Sequence, residues 1–250
     1  MQDRYAGDVG DFMKFGLLRH LAAPPEAGGA GLSVGLNWYL APDEDHNRDG
    51  RHIAYLDPSN RQHQSLAACD SDLMERLARV VATGRSVEAL DASGALPPGA
   101  SVHSEPLVPR DGFAGRDAWH ARALAALACA EVVCADPDNG ICSLRQAPKP
   151  HKYALLGELA DYARRGQSLV VYQHADRSAD ARTQASRRLD EVAVGVGQGA
   201  VAAVIARRGS CRFFLVTATA AHRDRLERAL RWYGARWRPH AEVVCADPEG

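Results

Sequence analysis

Residues 130–140 read AEVVCADPDNG, an apolar run that ends abruptly in two carboxylates, a proline, an amide and a glycine. Apolar residues at successive rather than alternate positions are typical of a strand covered on both faces, as at the centre of a parallel sheet. Ligands of such sheets bind just beyond the carboxyl ends of the strands. The stretch therefore predicts an α/β fold with a site at Asp136, Pro137 and Asp138.

Helices and strands alternate along most of the chain. The apolar runs 200–208 and 211–219 are separated by only two residues, which forces them to pair antiparallel. The pattern predicts one Rossmann-like domain over 1–250, with a mostly parallel sheet, a C-terminal antiparallel hairpin and an irregular insertion around 41–114. The other predicted elements are helices over 8–22, 71–90, 116–129, 151–165, 178–192 and 221–234 and strands over 32–40 and 167–174.

Bulk composition narrows the class of protein. Thirty basic residues balance thirty-one acidic ones, so no global basic field indicates a nucleic-acid binder, although the last third is locally rich in arginine. RNA or DNA bound through that third is therefore an expected partner. The six cysteines form no CxxC pair, the first residues lack an apolar signal core, and no run reaches roughly 18 apolar residues. A soluble cytoplasmic protein without membrane contact is expected.

Two segments contain residues that could bind a substrate or transfer a proton. Asp136, Asp138 and Asn139 combine acceptors and donors that could hold a planar amine or amide, although Asp, Pro, Asn and Gly also build ordinary turns. Acids concentrated at the end of a buried strand favour a functional interpretation. After the next strand, His174 could carry a proton, or it could be a loop histidine bonded to a nearby acid.

The polar residues of two further segments can be explained without a functional site. Asp8, Asp11 and Lys14 recur every three residues and so share one sector of the first helix, a spacing that helix-start electrostatics also explains. The loop at 43–52 mixes carboxylates with histidines but fits neither an EF-hand nor a HExxH pattern, so a solvated loop is favoured and no metal site is predicted.

Taken together, these motifs resemble the J-type large-subunit ribosomal RNA adenine N6-methyltransferases, a class I, Rossmann-like family that uses S-adenosylmethionine. The family's A-G-N-x-x-D-x-x-K-H motif is matched by Ala6, Gly7, Asp8, Asp11 and Lys14. Its catalytic D-P-P-Y follows the fourth strand, and the stretch from Asp136 to Asn139, which reads D-P-D-N, occupies that place. The chain looks like a divergent relative, from a group defined by RYxGDxGDxxK, DPDNG and YQH signatures.

The resemblance implies a methyltransferase-like enzyme that acts on an amine or amide nitrogen, of nucleic acid or of a small molecule. Asp136 would orient or deprotonate the acceptor amine, and Lys14 would reach the cofactor or the acid. Asp138, Asn139 and His174 would complete the catalytic set. The expected S-adenosylmethionine contacts are Gly7, Asp8, Asp11, Asn37, Tyr39 and Pro137. The family has a Gly-rich turn after its first strand, whereas the corresponding residues 37–44 of this chain contain no glycine.

Two other hypotheses remain open. In a metal-dependent hydrolase or nuclease, a divalent ion would be held near a substrate phosphate by Asp8, Asp11, Asp136 and Asp138, with or without His174. In a non-catalytic binding protein on a Rossmann scaffold, the same acids would only satisfy loop amides. The scaffold alone does not discriminate, because it hosts many unrelated functions.

Overall fold

A computed structural model describes residues 1–24, 30–44, 50–108, 112–142, 149–208 and 210–246. The helices are α1 (Val9–Ala22), α2 (His63–Ala67), α3 (Ser71–Thr83), α4 (Val87–Ala92), α5 (Gly112–Ala126), α6 (Leu156–Arg164), α7 (Ala181–Val196) and α8 (Arg223–Arg236). The strands are β1 (Val34–Trp38), β2 (Ser101–His103), β3 (Val132–Asp136), β4 (Ile141–Cys142), β5 (Ala154–Leu155), β6 (Ser168–His174), β7 (Gly199–Arg208), β8 (Ser210–Ala218) and β9 (Ala241–Cys245).

Seven strands form one central sheet in the order β2-β1-β3-β6-β8-β7-β9. The first four are parallel, whereas β8 runs antiparallel to β6 and β7, and β9 runs antiparallel to β7. The chain therefore has an α/β fold with a mostly parallel sheet, and the predicted C-terminal antiparallel pairing is confirmed. Since β1 lies between β2 and β3, the strand order reverses beside β1, which is where open α/β sheets bind ligands.

Helices cover both faces of this sheet, and the two-residue period of each strand divides its side chains between them. Val132 and Cys134 of β3 pack on the side of α1 and α8, while Val133 and Ala135 pack on the side of α5, α6 and α7. Continuing the alternation places Asp136 on the α1 face. The same alternation along β6 places Tyr172 and His174 on the α1 face of the sheet.

Helix α1 is almost entirely enclosed. Asp8 caps its first turn by accepting hydrogen bonds from the backbone N–H groups of Gly10 and Asp11. Near the middle, Gly16 lies against Trp237 so closely that a Cβ would stand 2.0 Å from the indole ring. Because the helix is buried on nearly all sides, its polar residues can face only other protein groups or an internal cavity.

Several predicted boundaries were wrong. The predicted helix over 71–90 is divided into α3 and α4, because Gly84 ends α3 with a φ of 138° that other residues rarely adopt. The predicted irregular insertion contains three helices, and β2 extends the sheet within it. The predicted helix over 151–165 begins only at Leu156, and Asp136 ends the third strand in chain order rather than a fourth. No helix among the described residues is long and apolar enough to cross a bilayer.

Candidate active site

The first helix and the end of β3 meet through a buried lysine. Lys14 Nζ lies 2.8 Å from Asp11 Oδ1 and 3.0 Å from Asp136 Oδ2, and all three residues are about 3% exposed. The ammonium also lies 4.3 Å from the centre of the Trp38 ring, so a cation–π contact supports it from the β1 side. Two motifs separated by 122 residues thus form one charge cluster.

A second ion pair extends the cluster toward β6 and β8. Arg212 Nη2 donates to Asp8 Oδ2 at 2.9 Å, and Arg212 Nε donates to the Tyr172 hydroxyl at 3.0 Å. The Tyr172 hydroxyl lies 3.2 Å from His174 Nε2, which lies 3.1 Å from the carbonyl oxygen of Asp138. Because a carbonyl can only accept, the proton of a neutral His174 is placed on Nε2 and its lone pair on Nδ1.

The turn after β3 is held on both sides. Asp138 Oδ2 accepts from Gln2 Nε2 at 2.8 Å and is 3.0 Å from Lys152 Nζ. Gly140 has a φ of +95°, and a Cβ there would stand 2.2 Å from the side-chain oxygen of Gln173. Only glycine fits this position without displacing its neighbour, so the turn needs the final residue of the DPDNG motif.

Glu44 closes one side of the mouth of the site. Its carboxylate pairs with Lys152 and accepts from Lys149 Nζ at 2.9 Å. These hydrogen bonds from Lys152 and Lys149 lower the pKa of Glu44 to about 2. A single carboxylate from the segment after β1 therefore contacts both lysines at the mouth, and Lys152 also pairs with Asp138.

These groups surround a cavity of about 460 Å³ at the carboxyl ends of β3 and β6. Its size is typical of small-molecule sites, and it lies close to the point where the strand order reverses. The polar side chains that line it come from six separate parts of the chain: Tyr5, Asp8, Asp11, Lys14, Glu44, His52, Asp136, Asp138, Asn139, Lys149, Lys152, Tyr172, His174 and Arg212.

Burial and charge adjust the titration of these groups. Although burial opposes its charge, Asp11 and Asp136 raise the pKa of Lys14 above its ordinary value. Burial raises the pKa of Asp11 to about 6, against the opposing effect of Lys14. Burial, aided by Arg212, lowers the pKa of His174. At neutral pH the site therefore contains a charged lysine beside a neutral imidazole.

Eight of the residues singled out from the sequence line this cavity: Asp8, Asp11, Lys14, Asp136, Pro137, Asp138, Asn139 and His174. Gly7 lies behind them, where its N–H donates to Asp11 Oδ2 at 2.8 Å, so it supports the cluster rather than lining the cavity. Asp8, Asp11 and Lys14 therefore do more than stabilise the start of the helix, because all three line the cavity.

Asn37 and Tyr39 do not join these residues. Asn37 donates to the Tyr162 hydroxyl at 3.1 Å, and Tyr39 donates to Glu158 Oε2 at 3.2 Å. Both are completely buried on the α5 and α6 side of the sheet. The alternation along β1 explains Asn37: Leu36 and Trp38 point toward α1, so Asn37 between them points away.

Arg212 and Lys152 were missed as site residues, whereas the strand-end stretch that contains Tyr172 and His174 was predicted to line the crevice and does so. Arg212 was counted with the basic residues of the last third, yet it is 4% exposed. Its position opposite His174 in the antiparallel β6 and β8 pair brings it to the site. The sequence predicted that β7 and β8 pair with each other but not that β8 also pairs with β6, so it gave no register that would bring Arg212 to the site.

Most other arginines of the last third are also paired. Arg207 contacts Glu242, Arg225 contacts Glu131, and Arg236 donates to the Cys69 carbonyl. The number of arginines in the last third therefore overestimates the positive charge that is available to a partner.

The acids of the site are paired with cations, Asp8 with Arg212 and both Asp11 and Asp136 with Lys14. Among the described residues, no group of three or more His, Cys, Asp and Glu side chains could hold a metal ion together. Half of the acidic loop at 43–52, namely 45–49, lies outside the described residues.

The place where the family's Gly-rich turn would hold S-adenosylmethionine is closed. Trp38 and Tyr39 are fully buried, and the Leu40 segment pairs with Pro106. Gln2, also fully buried, occupies the edge of the turn at Asp138. The residues after β1 do not fit the cofactor in the family's manner.

Fold and site define the chain as an α/β protein with a charged, strand-end cavity. No protein-family model matches the chain, and no curated protein matches its sequence.

Proposed function

We propose that this chain is a methyltransferase-like enzyme that acts on an amine or amide nitrogen held in the cavity at Asp136. The observation that carries the proposal is the buried contact between Lys14 and Asp136. It joins the two motifs on which the resemblance to the adenine N6-methyltransferases depends. A Rossmann-like assignment is supported by the parallel order β2-β1-β3-β6 and by a cavity beside its reversal point.

The cavity offers suitable partners for an amine. A carboxylate such as that of Asp136 accepts from an N–H group, and the Asn139 side chain can both donate and accept. Lys14, anchored by Asp11, keeps the Asp136 carboxylate in one orientation. The lone pair on a neutral His174 is available to take a proton from the reacting nitrogen. Positioning of this kind supplies much of the rate enhancement when the donor is already activated.

The proposal does not depend on a particular methyl donor. S-adenosylmethionine supplies a methyl group on an activated sulfonium, but its usual place after β1 is closed. We therefore derive no step through it, and the cofactor stays a prediction that direct binding must test.

The alternatives are less well supported. A metal-dependent hydrolase needs clustered acids, whereas here Asp8 is paired with Arg212, and Asp11 and Asp136 are paired with Lys14. A purely structural role for the acids does not explain why four of them line a cavity. Nucleic acid as the carrier of the amine rests on the resemblance alone.

Asp136→Asn tests the proposal. Methyl transfer from labelled S-adenosylmethionine to adenosine or to single-stranded RNA should fall by about 100-fold or more, because the acceptor loses its orienting carboxylate. Asp72→Asn is the control, since Asp72 is a paired surface acid that does not line the cavity.

Calorimetry on the wild-type chain tests methyl transfer separately from the binding of an amine. No binding of S-adenosylmethionine or S-adenosylhomocysteine, with or without RNA, would reject methyl transfer. Adenosine binding that Asp136→Asn abolishes would still support an amine site with other chemistry.

A further inference from the structure

Lysine is rare in this chain and is found only at the charged cavity. Of the thirty Lys and Arg residues, three are lysines, Lys14, Lys149 and Lys152, and all three line the cavity. A lysine ammonium is a compact charge whose donors can turn toward several acceptors, whereas an arginine guanidinium is a planar fork. Lys14 holds two buried carboxylates, so the lysines that need a further explanation are the two at the mouth.

Lys149 and Lys152 form a pair of ammonium groups on one carboxylate. The first precedes and the second ends the 3-10 turn Pro150–Lys152, in which side chains three positions apart lie on the same side. Lys149 Nζ donates to Glu44 Oε1 at 2.9 Å, and Lys152 Nζ pairs with Glu44 Oε2. Each lysine thus contacts a different oxygen of the same oxyanion. A phosphate or carboxylate of a ligand presents oxygens that can be held in the same way.

Lys152 is held in place by a second partner besides Glu44. It is 5% exposed, and its ammonium lies 3.0 Å from Asp138 Oδ2, which also accepts from Gln2 Nε2. Although burial opposes its charge, Glu44 and Asp138 raise the pKa of Lys152 above its ordinary value. With Asp138 still in contact, this ammonium stays charged and in position when the Glu44 carboxylate leaves.

Glu44 is the member of this group that a ligand can displace. Its side chain is 21% exposed, against 7% for that of Lys152, and an ion pair open to solvent contributes little to stability. The backbone N–H of Glu44 donates to Gln2 Oε1 at 3.0 Å, so the side chain can rotate while its backbone stays anchored. Charge also permits the exchange, because the arriving anion replaces the carboxylate that leaves.

We propose that Lys149 and Lys152 form an oxyanion subsite, which Glu44 occupies until a phosphate or carboxylate of the ligand displaces it. This rests on the proposed function only in taking the cavity as the place where the substrate binds. It adds that the substrate carries an acidic group besides the nitrogen at Asp136. Two residues of chain, at most about 7 Å, separate Asp136 from Asp138, which contacts Lys152, so one small molecule can reach both places.

Calorimetric titration of the full-length chain with inorganic phosphate, and separately with acetate, tests the subsite. Glu44→Gln should bind phosphate about fivefold more tightly than the wild-type chain, because an internal competitor is removed. Adding Lys149→Met to Glu44→Gln should weaken binding about fivefold, and Lys149→Arg, which keeps the charge, should weaken it less. Arg122→Met is the matched control with no expected effect, since Arg122 is an exposed cation paired with Glu105 outside the cavity lining.

Acetylation of lysine locates the bound ion. Of the three lysines only Lys149 is exposed, so its acetylation rate, followed by peptide mass spectrometry, reports on the mouth of the cavity. Saturating phosphate or acetate should slow that rate in Glu44→Gln, and the tighter of the two ions identifies the acidic group. The proposal would be overturned if Glu44→Gln bound neither ion saturably at tens-of-millimolar concentration, or if binding neither weakened in Lys149→Met nor protected Lys149.

These measurements are independent of methyl transfer. Asp136→Asn should leave phosphate binding nearly unchanged, since the carboxylate of Asp136 pairs with Lys14. Phosphate binding at the two lysines without any binding of S-adenosylmethionine would support the subsite and reject the proposed function. Methyl transfer by a chain that binds neither ion would support the proposed function and reject the subsite.

Discussion

Two buried polar clusters lie on opposite faces of the same sheet, near the carboxyl ends of its central strands. We call one the cavity cluster (Asp8, Asp11, Lys14, Asp136, Tyr172 and Arg212) and the other the closed cluster (Asn37, Tyr39, His103, Arg116, Glu158 and Tyr162). Both consist of ion pairs and hydrogen bonds between residues distant in sequence. Within the part of the chain that the structure describes, the cavity of about 460 Å³ is lined by residues of the cavity cluster and by none of the closed cluster.

The closed cluster has its charges matched within the protein. Arg116 contacts both carboxylate oxygens of Glu158, at 2.6 and 2.8 Å, and donates to two backbone carbonyls as well. In the cavity cluster, Lys14 serves two carboxylates and leaves part of each facing the void. The comparison shows that burial and charge alone do not identify a site, because an available volume beside the charges is also needed.

The largest expected effect comes from removing the central cation of each cluster. Lys14→Met and Arg116→Met should each lower the free energy of unfolding by about 3–5 kcal/mol, because carboxylates are left buried without a cation. Urea unfolding at pH 8 and pH 5 measures this loss. Since Asp11 already has a pKa raised to about 6, its protonation at pH 5 should reduce the loss in Lys14→Met.

The folded fraction of Arg116→Met should still bind whatever ligand the wild-type cavity binds. Loss of that binding would show that the closed cluster belongs to the site.

Two tyrosines provide a smaller and more direct comparison. Tyr39→Phe removes a hydrogen bond to the Glu158 carboxylate and should cost about 1.5–3 kcal/mol of stability without changing ligand binding. Tyr172→Phe removes the acceptor of Arg212 Nε in the cavity and should change ligand affinity as well as stability. Chemical denaturation and calorimetry on both variants measure the two effects. A change in S-adenosylmethionine affinity in Tyr39→Phe alone would restore the cofactor role predicted from the sequence.

The smallest effect concerns the mouth of the cavity. Glu44→Gln should lower the free energy of unfolding by about 0.5–1 kcal/mol, as expected for a partly exposed ion pair. The folded-state pKa of Glu44 is about 2, below its ordinary value of 4.5, so the ion pair stabilises the protein above pH 4.5. That contribution is lost as the pH falls toward 2. Denaturation of both proteins between pH 7 and 2.5 should therefore show converging stabilities, and a constant difference would contradict the assigned pairing.

Local sequence was sufficient for the elements whose signals are local. The apolar run before Asp136 predicted a central buried strand, and the two-residue connection between β7 and β8 predicted their antiparallel pairing. Asp8 was correctly predicted to open the first helix, because an N-cap depends on neighbouring residues only. Strand β2 was missed, since three residues at a sheet edge have no distinct periodicity.

What the chain determined by itself is the set of groups in its motifs: the acids and lysine of the first helix, and the turn from Asp136 to Gly140. Only the tertiary structure decided which of them meet. The two-residue period of β1 directs Asn37 away from the cavity, and the pairing of β6 with β8 brings Arg212 into it. These outcomes depend on strand order and register, which are set by packing between distant segments and not by the residues of any one segment.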